Sequence, residues 1–314
     1  RRLVVDAFAQ LVAEGWLVAR QGAGTTVAAS ARPGDAPAAA EPPAERLRYD
    51  FFPGTPDLAA FPRTAWLRAL RTVLQGAPDT ALQYPDPAGT PELRTALAAH
   101  LGRVRGVLAG PEDVAIVSGA RQGLTLLGRV LAASGSRSVA VELPSLPQHA
   151  DSLRAAGLDV VGVAVDADGI DVGRLARSGA DAVVVTPAHQ FPLGVALAPE
   201  RRAALLAWAA AAPGRLVIED DYDAEFRYDR RPVGALQARD PDRVAYLGSA
   251  SKTLAPGLRL GWIVARDPLR GRLVREKALD DHGSPALDQL ALARLLDSAA
   301  YDRHIRLARR RYRA

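Results

Sequence analysis

From Tyr49 onward, short apolar runs alternate with stretches whose apolar positions fall three and four residues apart. The runs lie at 114–117, 138–142, 160–165, 182–186, 215–218, 244–247 and 261–265 and are predicted to be strands. The intervening spacing predicts helices at 121–133, 148–157, 199–211, 269–280 and 285–299. Strands that are apolar throughout, separated by amphipathic helices, predict an α/β domain with a mostly parallel seven-stranded sheet covered on both faces. In such sheets ligands bind at the carboxyl ends of the strands.

The first residues follow another pattern. Val4, Phe8, Leu11 and Val12 give one helical face, and Gly15 stops it. Residues 16–28 read as a strand, a turn from Gln21 to Gly24, and a second strand. A helix followed directly by a small basic hairpin is the C-terminal part of a winged helix-turn-helix, a fold that places its helix in the major groove of double-stranded DNA. Residues 29–48 are rich in Ala and Pro without periodicity and read as a linker. The expected organisation is therefore a partial DNA-binding unit (1–28), a linker (29–48) and a larger domain (49–314).

Composition narrows this picture. At 314 residues, 48% hydrophobic and 24% charged, the chain has the makeup of a globular protein with more than one domain. It has no run of about 18 apolar residues, so no membrane-spanning helix is expected. No signal peptide is visible and Cys is absent, which excludes disulfides and thiolate metal sites and points to the cytoplasm. A net charge of +5 permits DNA binding without requiring it. Met is also absent, and both ends fall inside helical patterns. The chain therefore reads as a fragment.

Four strand ends carry candidate chemistry. After 114–117 comes Ser118-Gly-Ala-Arg-Gln-Gly123, a turn into a helix N-terminus, which suits a phosphate. After 182–186 comes the constrained turn Pro187-Ala-His-Gln-Phe-Pro-Leu-Gly194. After 215–218 comes Glu219-Asp-Asp-Tyr-Asp-Ala-Glu-Phe226. So many carboxylates need a cation, a metal or solvent. A metal site lacks His at ligand spacing. A carboxylate partner for a protonated pyridine nitrogen is a second reading, and a solvated acidic loop is a third. The fourth end is Leu247-Gly-Ser-Ala-Ser-Lys-Thr-Leu-Ala-Pro-Gly-Leu-Arg-Leu-Gly-Trp262. Of 40 Lys and Arg residues only Lys252 and Lys277 are lysines. Lys, unlike Arg, can lose its proton and condense with a carbonyl. The hydroxyls of Ser249, Ser251 and Thr253, with Arg259 seven residues on, suit a phosphate on the same molecule.

Taken together, these segments resemble the fold type I pyridoxal-phosphate aminotransferases over residues 50–314, through Asp220-x-Tyr222, the thirty-residue step to Lys252 and the seven-residue step to Arg259. The resemblance implies pyridoxal 5'-phosphate as cofactor, bound as a Schiff base to Lys252, with Asp220 on the ring nitrogen and Tyr222 on the ring hydroxyl. It implies a phosphate held by the backbone of Ala120 and Arg121 with Gln122, and by Ser249 and Arg259. It also implies a homodimer in which Tyr84 completes the partner subunit's phosphate site. Gln190 is the candidate for the amide that touches the ring hydroxyl, because His189-Gln-Phe-Pro-Leu-Gly194 departs from the usual His-Asn-Pro-Thr-Gly. The stacking aromatic expected in Pro144-Ser-Leu-Pro147 is replaced by Leu146, with His149 as a substitute.

Residues 4–17 and 22–27 resemble a GntR-type winged helix, with Arg1 and Arg2 near the start of the recognition helix and Gly22, Gly24 and Thr25 at the wing tip. The two halves joined resemble the MocR/GabR regulators. The resemblance implies a DNA-binding transcription regulator that senses pyridoxal phosphate and an amino acid or amine. The alternative is an active aminotransferase.

Overall fold

The computed structural model describes residues 2–28, 54–226 and 233–313. The chain divides into two compact units, Arg1–Phe51 and Phe52–Ala314. The expected linker and Arg1 lie outside the described residues.

In the first unit, α1 (Arg2–Ala13) leads into the hairpin of β1 (Leu17–Arg20) and β2 (Gly24–Val27). The strands pair antiparallel from Leu17 with Val27 to Arg20 with Gly24. Gly22 and Gly24, at φ 81° and 78°, supply the left-handed backbone that this short connection needs. Arg2, Gly22, Gly24 and Thr25 are exposed, as are the apolar residues Val4, Phe8, Leu11 and Val12. One helix and a two-stranded hairpin enclose too little volume to bury that face.

The second unit begins with α2 (Arg63–Gly76) and α3 (Pro91–Arg105). There follow β3 (Val114–Val117), α4 (Ala120–Ala133), β4 (Ser138–Leu143), α5 (Pro147–Ala155), β5 (Asp159–Asp166), β6 (Gly169–Ile170), α6 (Val172–Arg177), β7 (Ala182–Val185) and α7 (Pro199–Ala210). The unit continues with β8 (Leu216–Asp221), β9 (Val244–Ser249), β10 (Gly261–Val264), α8 (Leu269–Asp281), α9 (Ala286–Asp297) and α10 (Ala300–Arg313). The sheet order is β3-β10-β9-β8-β7-β4-β5-β6. Strands β5, β4, β7, β8 and β9 run parallel in sequence, while β10 is antiparallel to both its neighbours. The expected mostly parallel sheet is observed, with the two-residue β6 as an added edge. No helix among the described residues is long and apolar enough to cross a membrane.

Side-chain alternation sorts the core into layers. Leu216 and Ile218 of β8, with Ala245 and Leu247 of β9, pack against Leu124 and Leu127 of α4 and Leu153 of α5. Val217 and Val244 face the other way, toward Leu205 and Trp208 of α7. Further along that second face, Ile116, Tyr246 and Val264 meet Leu97 of α3 and Leu292 of α9. Each fully buried Leu or Ile contributes roughly 1.5–3 kcal/mol. The pattern also fixes the polar residues beyond. Asp220 lies on the face of Ile218, toward α4 and α5, whereas Glu219 and Asp221 share the opposite face with Val217.

Of the three readings of the stretch after 215–218, the solvated acidic loop is excluded for residues 219–221, because the strand continues through Asp221. All six residues of β8 are buried, the three carboxylates included. Burial is tolerated because each one is paired. Glu219 accepts the N–H groups of Leu236 and Gln237 at 2.8 and 2.9 Å. Asp221 Oδ2 accepts from Arg105 Nε and from the Tyr246 hydroxyl, both at 2.7 Å. Asp220 Oδ2 lies 2.8 Å from His149 Nε2.

Candidate active site

A pocket of about 530 Å³ opens at the ends of β8 and β9, beneath the N-termini of α4 and α5. It brings together Lys252, Asp220, Tyr222, Ser249, Arg259, Ala120 and Arg121, which the sequence scatters over 140 positions. Asp220, not Asp221, is the carboxylate in the pocket, as the strand alternation requires. A second cleft of about 430 Å³ lies beside Tyr84 and contains no lysine.

At one end of the pocket sits Lys252. Its Nζ donates to the carbonyl of Gly54. Burial pushes the amine below the ordinary lysine range, against the opposing pull of Asp220 and Asp223. At the floor, Asp220 is 4% exposed, and its Oδ1 is buried without a hydrogen-bond partner among the described residues. A carboxylate oxygen held this way needs a donor, and the pocket is the side from which one can come. Tyr222 lies beside it. Its phenol is pushed up by burial and then by Asp223 and Asp220, so it stays a protonated donor. The ring stacks on His189 with centroids 6.2 Å apart, and His189 Nδ1 lies 2.6 Å from Asp223 Oδ2.

At the other end, α4 begins at Ala120 behind Gly119, whose φ is 90°. The first helical hydrogen bond runs from Gly123 N to Gly119 O, so the N–H groups of Ala120 and Arg121 have no partner within the helix. Arg259 lies across this turn and donates to the carbonyl of Ser118. A Cβ on Gly119 would sit 3.0 Å from its guanidinium. Ser249, 8% exposed, adds a hydroxyl.

Three expected residues are placed differently. The Gln122 side chain turns away from the pocket. Its Oε1 takes the Ser118 N–H at 2.7 Å and its Nε2 reaches Asp280 and Asp281 at 2.8 and 2.9 Å. Gln190 is 2% exposed and does not line the pocket, because its amide is consumed by the loops around it. Its Nε2 donates to Pro144 O at 2.8 Å and Phe191 O at 2.7 Å, and its Oε1 accepts from Leu193 N at 3.1 Å. Tyr84 is 94% exposed and lies outside the pocket.

Leu146 and His149 do line the pocket, His149 as the partner of Asp220. Phe191 and Gly54 are pocket residues that pattern reading does not find. The Phe191 ring meets Tyr222 edge-on at 6.3 Å and supplies an aromatic wall on a chain position far from Leu146.

The donor set is specific. An orphaned buried carboxylate oxygen suits a cationic ring nitrogen. Free helix N–H groups beside a guanidinium suit a phosphate, and a desolvated amine suits an aldehyde. Pyridoxal phosphate carries all three, and the residues fit it. Sheet order and site together define a pyridoxal-phosphate domain of the fold type I aminotransferase class.

Residues 54–313 match the family described as aminotransferase class I and II. Over its whole length the chain is 34% identical to the HTH-type pyridoxine biosynthesis transcriptional regulator PdxR of Corynebacterium glutamicum, covering 68% of that protein. It is 33% identical to the probable rhizopine catabolism regulatory protein MocR of Rhizobium meliloti, with 99% of this chain and 67% of that protein covered. Among solved structures, Pyrococcus horikoshii kynurenine aminotransferase, in complex with PMP, superposes with a TM-score of 0.75 at 28% identity. That match covers 82% of this chain and 65% of that one. The chain belongs to the aminotransferase class I and II family and, within it, to the helix-turn-helix transcriptional regulators of the PdxR and MocR kind.

Proposed function

We propose that this protein is a pyridoxal-phosphate-dependent, DNA-binding transcription regulator whose aminotransferase-like domain senses the cofactor and an amino acid or amine. The observation that carries the reading is the convergence of Lys252, Asp220, Tyr222 and Arg259 on one pocket, in a chain that also holds a helix–hairpin unit and is related over its length to two regulators.

When bound, pyridoxal phosphate supplies an aldehyde that captures amines and a ring that withdraws electrons. Lys252 would offer the amine that holds it, and its desolvation favours the free base relative to an exposed lysine. Asp220 would face the ring nitrogen and favour its protonated form, with His149 fixing the other carboxylate oxygen. Tyr222 donates toward the ring hydroxyl. Ala120, Arg121, Ser249 and Arg259 take the phosphate. Tyr84, exposed on one copy, completes the phosphate site of a second copy in a homodimer.

Lys252 would be engaged while it holds the cofactor and free when it does not, and an amino acid or amine bound in the same pocket would favour one of these two states. Regulation follows when the DNA-competent and incompetent arrangements differ in which state they favour. In the first unit, Arg2 at the helix start and Gly22, Gly24 and Thr25 at the hairpin contact the duplex, mainly through phosphates, and Arg1 joins them by the family resemblance alone.

The test is binding to the protein's own upstream DNA with and without pyridoxal phosphate, at one moderate salt concentration, since basic proteins bind any DNA at low salt. Specific binding that changes with the cofactor, and stops changing in Lys252→Ala, is the expected result. No specific binding at all, together with turnover of an amino donor and a keto acid, makes the protein an aminotransferase instead.

A further inference from the structure

Lysine is rare in this chain, and the second one, Lys277, is among the most buried large side chains in the protein. It lies on α8, is 1% exposed, and places Nζ 2.9 and 2.8 Å from the two carboxylate oxygens of Asp281. Asp281 Oδ1 also accepts the Gly283 N–H at 2.8 Å, and its Oδ2 accepts Gln122 Nε2 at 2.9 Å. The same amide nitrogen reaches Asp280 Oδ2 at 2.8 Å, while Arg129 holds Asp280 Oδ1 at 2.7 Å. Although burial opposes it, hydrogen bonds from Gln122 and Lys277 keep the Asp281 carboxyl below its usual range.

The other end of the Gln122 amide takes the Ser118 N–H at 2.7 Å. An amide with carboxylates at one end and an N–H donor at the other has a single orientation. The Ser118 residue is therefore held from both sides, its N–H by Gln122 and its carbonyl by Arg259. Gly119 and the first turn of α4 follow directly.

We propose that Lys277 is a positioning residue for the phosphate end of the pocket. Acting through Asp281 and Gln122, it fixes the Ser118 backbone, and with it the aim of the Ala120 and Arg121 N–H groups and of the Arg259 guanidinium. The proposal rests on the pyridoxal-phosphate reading of the pocket.

The physical case has three parts. A buried ammonium between both oxygens of one carboxylate leaves Asp281 no freedom to rotate, so the Gln122 amide faces a fixed acceptor. An ammonium fits that slot, where a planar guanidinium needs more room and a wider fork. Finally, the relay ends at the phosphate turn. Lys277 makes no hydrogen bond to Asp220, Tyr222 or Lys252, so its effect is confined to one end of the ligand. Asp281 has a 27% exposed side chain, so removing its partner leaves a carboxylate that water can reach.

The experiment compares pyridoxal phosphate with pyridoxal, which has the same ring and aldehyde but no phosphate, on the full chain. In Lys277→Met the dissociation constant for pyridoxal phosphate is expected to rise about tenfold, the loss of one charge-assisted hydrogen-bonded arrangement. That for pyridoxal stays unchanged, as does the pH midpoint of the absorbance band of the cofactor on Lys252. Gln122→Leu gives the same selective loss, and the double variant loses no more than either single one. Equal weakening toward both ligands, or no weakening, overturns the proposal. If Lys277→Met does not fold, Gln122→Leu alone decides between the same outcomes. Absence of a borohydride-reducible attachment at Lys252 in the unaltered protein defeats the cofactor reading itself, a failure visible before any variant is compared.

Discussion

His149 Nε2 and Asp220 Oδ2 lie 2.8 Å apart, both buried, one on the first turns of α5 and the other near the end of β8. The pair divides the carboxylate. One oxygen is taken by the imidazole, and the other is left for the pocket. Replacing His149 by Leu removes a charge-assisted bond worth roughly 1.5–3 kcal/mol and frees the carboxylate to turn. Pyridoxal phosphate affinity is expected to fall about tenfold or more, read by absorbance titration. Undiminished affinity in His149→Leu means that the pair does not orient Asp220.

Covalent capture at Lys252 is expected to depend on pH in one direction. Burial disfavours the ammonium, so the amine titrates below the ordinary value of 10.5. Only the free base attacks a carbonyl, so the rate of attachment rises with pH and levels off before an exposed lysine would. Stopped-flow absorbance across pH checks this. A rate still climbing at the pH where free lysine titrates contradicts it. Lys252→Ala abolishes reducible attachment altogether.

Gly119 to Ala tests the phosphate turn. At φ 90° an L side chain is strained, and its Cβ would press on the Arg259 guanidinium at 3.0 Å. The expected cost is about 1–3 kcal/mol by chemical denaturation. It comes with weaker pyridoxal phosphate binding, because Arg259 must give way. A variant as stable and as tight as the parent shows that the turn is free to relax.

Glu219 makes stability depend on pH. Burial, and then the charge of Asp221, push its carboxyl from 4.5 up to about 7. The folded state therefore binds the proton more tightly than the unfolded chain. That contribution is complete below about 4.5 and is lost as pH rises through about 7. Denaturation curves across this window should show stability falling with rising pH from this group, by at most about 1.4 kcal/mol per pH unit. Glu219→Gln is expected to flatten that part of the profile. An unchanged slope assigns it to another group.

Several features follow from local pattern alone. The runs at 138–142 and 244–247 are strands because continuous apolar β-favouring residues have nowhere to go but a doubly covered sheet. The helices at 199–211 and 269–280 follow from their periodicity. Lys252, Asp220, Tyr222 and Arg259 stand out because their spacing repeats that of a known cofactor site, and the pocket does contain them. What the pattern misses is set by distant partners. The stretch Glu219-Asp220-Asp221 leaves a metal, a cationic ring or solvent open as its partner, since nothing local announces Arg105, His149 or the N–H groups of Leu236 and Gln237 that make its burial tolerable. Gln190 and Gln122 are ligand candidates through the family resemblance alone, which does not show where their amides are bonded. Their partners, Pro144 O and the Asp280–Asp281 pair, lie about 46 and 160 positions away in sequence.

The sequence by itself determined which segments become strands and helices, because that resides in residue type and short-range periodicity. Its resemblance to a known cofactor site singled out an amine, a phenol and a guanidinium that share one pocket. Only the tertiary structure decided which of two adjacent aspartates enters the pocket, where each amide spends its hydrogen bonds, and that Phe191 walls a site whose expected aromatic position holds Leu146. Each of these depends on the direction of a side chain relative to atoms distant in sequence. In a strand that direction reverses with every residue, so only the packed sheet fixes it.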